Sequence, residues 1–543
     1  MVDCLLIVER NVFKPDIIHL MLQKTMDDYF KELANTSVDV PGRLFEAPKM
    51  SVPNYGMAGT ISLTSVVLAT SLLRCGLTLS ILDDDNILVN YSDSLYKHVQ
   101  DAKVIAISTT YIVVRKSIAR IVEKIREISE EVPIVLGGQG VPALSLNPLS
   151  EKDAEIFDKV DAVMYGEAED VFPELVKDMR DRNVKRQLPG VLYNKRGSWE
   201  GTQIPVEVDL NNVPIPDYGI VEKCSINDSS SCIEIRPSSG SLEEGRGCKF
   251  RCSFCSYHLY SPFRRKTPER IISELKALKQ LGYDSVAFVG AEFINPIRES
   301  FKIFEAMREA KLGMNYWIYG RLDLISKYPD LIKTMSDAGV SNLVFGMESG
   351  DRNILKRMKK HYDIEEMING AKLSREKNIS ITSSVIIGFP GETDETIENT
   401  IRVLTECNFY AIFLHALNIV PDTPLWYLKD DYGLKIKKSG YWAHETMALH
   451  MVPGIVQKII NSINNTTSSL FVNVKRNIAA GFVRPGEEYS NKKLDFITNI
   501  LQDILCNEWS EIPNANIRKT LWDKLKVEST QLPFSALDIL KAS

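Results

Sequence analysis

Apolar residues come in short runs along the first two hundred positions: Cys4 to Val8, Leu77 to Leu82, Val104 to Ser108, Ile134 to Leu136 and Ala162 to Met164. The runs are brief and rich in β-branched residues, which predicts strands. Between several of them the spacing is helical, as from Thr60 to Arg74, a segment that stops at Gly76. This alternation predicts an α/β domain with a parallel, doubly wound Rossmann-like sheet covered on both faces. Such a sheet opens its ligand site at the carboxyl ends of its strands.

The alternation returns from about 240 to 430, with strand ends near Gly245, Val289, Arg321, Glu348, Ile387 and Asn418. Thr267-Pro268 opens a helix carrying Ile271, Ile272, Leu275, Leu278 and Leu281, and Gly282 stops it. Asp363 and Glu366 have the spacing of a capping box. Gly339 closes a helix that starts near Pro329. Six such units fit a partial (β/α)6 barrel, whose active groups lie at the carboxyl ends of the strands. Four regions follow: a Rossmann-like domain over 1–200, a connector over 201–240, the barrel over 241–430 and a small, mainly helical cap over 431–543. Prolines extend the connector at Val213-Pro214-Ile215-Pro216-Asp217-Tyr218. The cap offers helices at Ile455 to Ile463, Asp495 to Leu505 and Ile517 to Val527.

Charge narrows the partners. The net charge is -6 over 543 residues and the signs are interspersed, which argues against nucleic acid as a partner. No apolar stretch approaches the ~18–20 residues of a membrane span, and Met1-Val2-Asp3-Cys4 lacks the basic start of a signal peptide. The nine cysteines form no disulfide framework, so a reducing cytoplasm is expected.

Three cysteines cluster in the run Gly247-Cys248-Lys249-Phe250-Arg251-Cys252-Ser253-Phe254-Cys255. Three thiolates can hold three irons of a cubane iron–sulfur cluster and leave the fourth iron open to a small ligand. A zinc site on the same cysteines wants a fourth Cys or His at finger-like spacing, and His258 stands too close for it. The Cys-x3-Cys-x2-Cys run, with an aromatic before its third cysteine, resembles the signature of the radical S-adenosylmethionine (radical SAM) superfamily. The resemblance implies a [4Fe-4S] cluster on Cys248, Cys252 and Cys255, with S-adenosyl-L-methionine on the open iron. It continues at the strand ends. Gly290-Ala291-Glu292 resembles the segment that binds the methionyl ammonium, with Ala291 replacing a glycine. Trp317-x3-Arg321-x-Asp323 implies Arg321 against a carboxylate. Gly346-Met347-Glu348-Ser349-Gly350 implies Glu348 and Ser349 on ribose hydroxyls, and Gly388, in Ile387-Gly388-Phe389-Pro390-Gly391-Glu392-Thr393, implies backbone against adenine. Phe254 and Tyr257 flank the cysteines where family aromatics pack on the cluster and near the adenine. Trp442-x-His444-x-Thr446-Met447 resembles a segment beside the active site, which adds His444 to Arg321 as a candidate catalytic residue.

In the first domain the strand ends carry Ser108-Thr109-Thr110, Gly137-Gly138-Gln139-Gly140 and Gly166-Glu167-Ala168-Glu169. Glycines there let backbone approach a large flat ligand. Ahead of a three-cysteine core, these loops resemble the cobalamin-binding domain found in many radical SAM enzymes. The resemblance implies cobalamin beside Ser108, Thr109, Thr110, Gly137, Gly138, Gly166 and Glu167. The Asp-x-His-x-x-Gly loop of the better-known cobalamin fold is missing; His19 and His98 are the only histidines before residue 200 and neither has that context. A cobalamin without a histidine axial ligand is therefore expected, its lower face toward the insert around Asn54 to Thr60. The class implies a C-methyltransferase acting on an unactivated carbon of a peptide or natural product, fed by a flavodoxin- or ferredoxin-type reductant. The same cofactors suit a ring contraction, a cyclisation or another rearrangement, and the same domains suit a non-catalytic redox or ligand sensor. A second cluster is not expected: the first domain offers only Cys4 and Cys75, and the stretch after the core motif only Cys407 and Cys506.

Overall fold

A computed structural model describes residues 1–8, 63–83, 93–110, 115–143, 154–182, 187–219, 224, 239–436, 442–463, 469–475 and 478–483. The first sheet contains β1 (Cys4–Val8), β2 (Leu79–Asp83), β3 (Ile105–Ser108), β4 (Ile134–Gly137), β5 (Ala162–Met164), β6 (Val191–Lys195) and β7 (Ser198–Gly201) in the order β2-β1-β3-β4-β5-β6-β7. From β2 to β5 every pairing is parallel. The period of two divides its side chains between two cores. Leu5, Ile7, Ile105, Ile107, Ile134 and Leu136 meet Ile118, Ile121, Val122 and Ile125 of the helix Arg115–Ile128 on one face. Cys4, Leu6, Val8, Ala106 and Val135 meet Val66, Ala69 and Leu72 of the helix Leu63–Arg74 on the other, with Phe172, Leu175 and Val176 of the helix Val171–Arg180. Each fully buried aliphatic or aromatic side chain is worth about 1.5–3 kcal/mol. A strand covered on both faces therefore reads as an unbroken apolar run.

The antiparallel ribbon β6–β7 is an addition to the sheet that the apolar pattern did not suggest. Its two-residue turn puts Arg196 at φ 56° and Gly197 at φ 90°, the positive-φ pair of a tight hairpin.

The second sheet holds the barrel strands β8 (Ser239–Leu242), β9 (Ser285–Phe288), β10 (Asn315–Tyr319), β11 (Val340–Glu348), β12 (Ser380–Ile387) and β13 (Ala411–Ala416), all parallel and in sequence order. The helix Pro268–Gln280 follows β8, capped by the Thr267 hydroxyl on the Arg270 N–H and started by proline at its first position. Leu281, at its end, is 47% exposed rather than part of the buried stripe. The helix Ile364–Glu376 is capped by Asp363, but the carboxylate accepts from Glu365 N–H at 2.8 Å. Glu366 does not return to the cap and pairs with Lys327 at 3.0 Å. The reciprocal capping box lies instead at Thr393 and Thr396, opening the helix Asp394–Cys407.

Beyond 430 the helix Val452–Ser462 matches the expected one. Two strands then join the barrel sheet: β14 (Ser469–Lys475) parallel to β13, and β15 (Ile478–Val483) antiparallel to β14. The expected helices at 495–505 and 517–527 and the insert around Asn54 to Thr60 lie outside the described residues.

The connector is laid against both sheets. Its Val208, Leu210 and Val213 form a small core of their own. Asp217 N–H donates to Thr70 Oγ1 at 2.9 Å, and the Tyr218 hydroxyl donates to the Ser241 carbonyl of β8. Arg270 reaches the Asn211 carbonyl at 3.3 Å and the Pro214 carbonyl at 3.1 Å. These bonds tie the connector to the helix Leu63–Arg74 on the first sheet and to β8 and the helix Pro268–Gln280 of the second.

Candidate functional site

The three cysteines sit on an irregular loop closed by a short antiparallel ladder, Gly245–Arg246 with Arg264–Arg265. Strand β8 therefore ends earlier than Gly245. Gly247 starts the loop at φ 72°, and a Cβ there would lie 2.4 Å from the Ser261 carbonyl oxygen. Ser253, fully buried between two of the cysteines, is the anchor. Its N–H donates to Met358 O at 2.9 Å, its hydroxyl to Arg357 O at 3.1 Å, and its carbonyl accepts from Leu425 N–H at 2.8 Å. The backbone thus holds the loop while Cys248, Cys252 and Cys255 remain free thiols. Burial raises all three thiol pKa values, Cys255 to about 11, with Lys360 acting in the opposite direction. Such thiols ionise when a metal takes their proton's place. Among the described residues no three His, Cys, Asp or Glu side chains close on a single-ion site; a cubane needs none, because each thiolate takes its own iron. Phe254 packs on the barrel core, whereas Tyr257 faces the cavity between the domains.

Beside the loop stand two buried carboxyls, Glu292 and Glu244, the second not singled out by its sequence context. Burial pushes each up to about 7. Glu292 accepts from Ile294 N–H at 2.8 Å, and Glu244 from Gly290 N–H at 3.0 Å. A Cβ on Gly290 would lie 2.2 Å from Glu244 Oε1, so the glycine admits that carboxyl. Ala291 is half-buried beside them. Two desolvated carboxyls this close to a strand end favour an incoming cation.

Arg321 is bound to its neighbour Asp323 through Nε–Oδ1 at 2.9 Å and Nη2–Oδ2 at 3.0 Å, and donates to His361 O at 3.1 Å. Its guanidinium lies 4.2 Å from the Phe250 ring centroid and 5.2 Å from that of Tyr362. The fork is thus occupied, and one flat face covers the cysteine loop. Glu348 ends β11 at φ 64°, a strained conformation of the kind found at functional sites. Lys360 Nζ lies 3.1 Å from one of its oxygens and Ser384 Oγ 3.2 Å from the other. Ser349 turns inward: its hydroxyl lies 3.4 Å from Thr400 Oγ1 and accepts from Asp351 N–H at 3.1 Å. Of this adjacent pair, Ser349 is thus spent on Thr400 and Asp351, and Glu348 keeps its carboxylate on Lys360 and Ser384.

Gly388 is gripped on both sides. Its N–H donates to Glu392 at 2.5 Å, a buried carboxyl pushed up to about 8. Its carbonyl accepts from His444 Nε2 at 3.1 Å, and the Thr446 hydroxyl donates to His444 Nδ1 at 3.3 Å. Burial lowers the His444 pKa, which keeps the ring neutral in this tautomer. His444 therefore holds the Gly388 loop, with both ring nitrogens engaged. The Trp442 ring lies under Gly388, where a Cβ would be 1.9 Å from it at φ 95°. Gly388→Ala is expected to cost about 2–4 kcal/mol, combining overpacking and left-handed strain. A urea midpoint equal to that of the parent would contradict this packing.

At the carboxyl ends of the first sheet lies a cavity of about 300 Å³. Ser108, Thr110, Gly137, Gly138, Gly166 and Glu167 line it from the first domain, and Arg246, Gly247, Tyr257 and Ser261 from the barrel. Thr109 does not: it is fully buried and its hydroxyl donates to Gly137 O at 2.9 Å. The glycines serve contacts between loops rather than open space. A Cβ on Gly138 would lie 2.7 Å from Thr110 N, and one on Gly166 would lie 2.2 Å from Val206 N. Glu167 is the hub of a bridge between the domains. Its carboxylate pairs with Arg264 and, at 3.2 Å, with Arg246, and accepts from Val208 N–H at 2.8 Å and Ser261 Oγ at 3.2 Å. Burial raises its pKa, but Arg264, Arg246 and the Val208 amide outweigh that and hold it below the usual range. Arg246 also pairs with Glu169, and with Glu243 at 2.8 Å. Sequence reasoning placed Glu167 by its strand end and missed Arg246 and Arg264, because an ion pair across 97 positions leaves no local signal.

Residues 243–404 match the radical SAM superfamily. An uncharacterized methyltransferase of Pyrococcus horikoshii is 27% identical over 307 residues, covering 55% of this chain and 64% of that protein. The hopanoid C-2 methylase of Rhodopseudomonas palustris is 26% identical over 303 residues, covering 54% of this chain and 52% of that protein. The chain thus matches between 52% and 64% of these relatives' lengths. Among solved structures, the radical S-adenosylmethionine methyltransferase TsrM from Kitasatospora setae superposes with a TM-score of 0.61 at 14% identity, covering 86% of this chain and 90% of that one. The cobalamin-dependent S-adenosylmethionine radical enzyme OxsB superposes with a TM-score of 0.55 at 15% identity, covering 86% and 73%. At such identities the likeness is one of fold. Residues 243–404 thus form a radical SAM domain, and the chain shares its fold with TsrM and OxsB.

Proposed function

We propose that the protein is a cobalamin-dependent radical SAM methyltransferase that methylates an unactivated carbon of a peptide or natural product. The observation that carries this reading is the shared cavity: the strand ends of the Rossmann-like sheet form one wall and the cysteine loop, through Gly247, Tyr257 and Ser261, forms the other. The residues fit the groups. Cys248, Cys252 and Cys255 would hold a [4Fe-4S] cluster; Glu292, Glu244, Glu348 and the Gly388 backbone would hold S-adenosylmethionine; Ser108, Thr110 and Gly137 would meet cobalamin. Bound together, these groups supply a carbon-centred radical and a transferable methyl. The chain's part is placement. Glu292 and Glu244, raised to about 7, give up their proton when an ammonium arrives and pair with it. Arg321 and Phe250 cover the cysteine loop against water. Glu392 and His444 fix the Gly388 peptide from opposite sides. The missing Asp-x-His-x-x-Gly loop supports a cobalamin without a histidine ligand. The free thiols support action in a reducing compartment.

The test uses S-adenosylmethionine with a labelled methyl group, reductant, cobalamin and candidate substrates. Label should reach substrate carbon, with 5'-deoxyadenosine and S-adenosylhomocysteine formed in equal amounts. Deoxyadenosine with an unmethylated product would replace this reading by a rearrangement, and neither by-product would favour a sensor.

A further inference from the structure

Successive side chains of a strand point to opposite faces, and the barrel strands sort accordingly. Phe345 and Met347 of β11, Val385 of β12, and Ile412 and Leu414 of β13 pack in the core with the helices. Their neighbours Gly346, Ser384, Phe413 and His415 point the other way, into the barrel, and are half-buried. The register sets Gly346, Ser384 and Phe413 side by side, with His415 two residues nearer the carboxyl end. Solvent thus reaches a wall that a closed barrel would fill with packed side chains. The Phe413 and His415 rings lie parallel within 4°, their centroids 5.8 Å apart. Among the described residues neither His415 nitrogen has a hydrogen-bond partner, whereas both nitrogens of His444 are engaged. Burial lowers the His415 pKa, against the pull of the Glu348 carboxylate, so the ring is neutral near pH 7, with one nitrogen to donate and one to accept. The wall carries no spare charge, because Glu348 is paired with Lys360 at 3.1 Å and lies 3.2 Å from Ser384 Oγ.

We propose that this wall of β12 and β13 is a substrate subsite, in which His415 supplies the hydrogen bond that orients a flat, uncharged group of the substrate, an aromatic amide in chemical class. The proposal rests on the radical SAM reading, which puts the group to be modified at the carboxyl end of this barrel. The chemistry of the occupant follows from the wall. The parallel rings offer a flat apolar surface, and the neutral imidazole offers one directed bond that nothing in the fold uses. An arriving carboxylate would meet Glu348, and an ammonium would find that carboxylate already taken by Lys360. Either charge would leave water without a counter-charge, at a cost that an amide does not incur.

The test titrates para-fluorobenzamide into the oxidised, reconstituted full-length protein and follows it by fluorine NMR line broadening, with para-fluorobenzoate and para-fluorobenzylamine as charged counterparts. The amide should bind about tenfold or more tightly than either charged probe. His415→Leu, which keeps bulk and loses the hydrogen bond, should weaken amide binding about tenfold, and His415→Gln should restore it to within about threefold of the parent. In the unsubstituted protein, diethyl pyrocarbonate should modify His415 faster than His444, and para-fluorobenzamide should slow the reaction at His415. Equal amide affinity in parent and Leu variant, equal affinity for the three probes, or His415 left unprotected by the amide overturns the proposal. Amide binding that depends on His415, in a protein that forms no 5'-deoxyadenosine from S-adenosylmethionine and dithionite, would overturn the functional reading instead and leave the subsite standing.

Discussion

Alanine at Cys248, Cys252 and Cys255 together is expected to abolish iron binding and 5'-deoxyadenosine formation while the fold persists. The fold should persist because Ser253, not the thiols, ties the loop to Met358, Arg357 and Leu425. Of the other six cysteines none has cluster spacing in the sequence, and among the described residues Cys4 is buried in β1 and Cys407 in the helix Asp394–Cys407. Each single alanine variant should also lose the site-differentiated cluster, since two thiolates leave two irons without a protein ligand. Iron counting, Mössbauer spectra and circular dichroism after anaerobic reconstitution provide the check. An intact cluster in the triple variant would refute the assignment of the site.

Glu167→Gln is expected to loosen the two domains from each other. The neutral amide leaves Arg264 without its main counter-charge, because the next carboxylate, Glu207, stands 4.0 Å away. Removing one partner of a fully buried pair costs about 3–5 kcal/mol; with Glu167 at 11% and Arg264 at 23% exposed, solvent screening reduces this to about 1–3 kcal/mol. Limited proteolysis should cut the connector faster, and by-product formation should lose its balance, deoxyadenosine accumulating without methylated product. Acid should mimic the substitution. The folded pKa of Glu167 is held below the unfolded value, so its contribution is complete above the ordinary carboxylate range and is lost as pH falls through the folded value. The variant should therefore lack this part of the parent's acid sensitivity. Equal proteolysis rates in parent and variant at neutral pH would show that the bridge does not hold the domains.

Sequence legibility tracked locality. The core strands of both sheets could be read because burial on two faces demands apolar runs, and the barrel helices because caps and stops lie within a few residues of them. The three cysteines fall on one loop because their spacing lies within eight residues. What escaped was made by distant partners. Thr109, Ser349 and Glu167 occupy the expected loops, yet their side chains turn to Gly137, Thr400 and Arg264. Glu244 could have been suspected as an acid just ahead of the loop, but its bond to Gly290 spans 46 positions. The strands β14 and β15 follow a helical, polar stretch, and it is their pairing onto β13 that makes them part of the barrel sheet.

The glycines at the first domain's strand ends have an evolutionary consequence. Gly138 and Gly166 are required by neighbouring backbone, the one by Thr110 and the other by Val206. Selection on folding alone would preserve them. If the cavity holds the proposed corrin, a descendant that gave up that ligand would keep both glycines, while Ser108 and Leu63, which face the cavity, would drift. Shared glycines among such proteins thus report common ancestry of the scaffold, and the pace of change at the cavity-facing positions reports whether a lineage still uses the ligand.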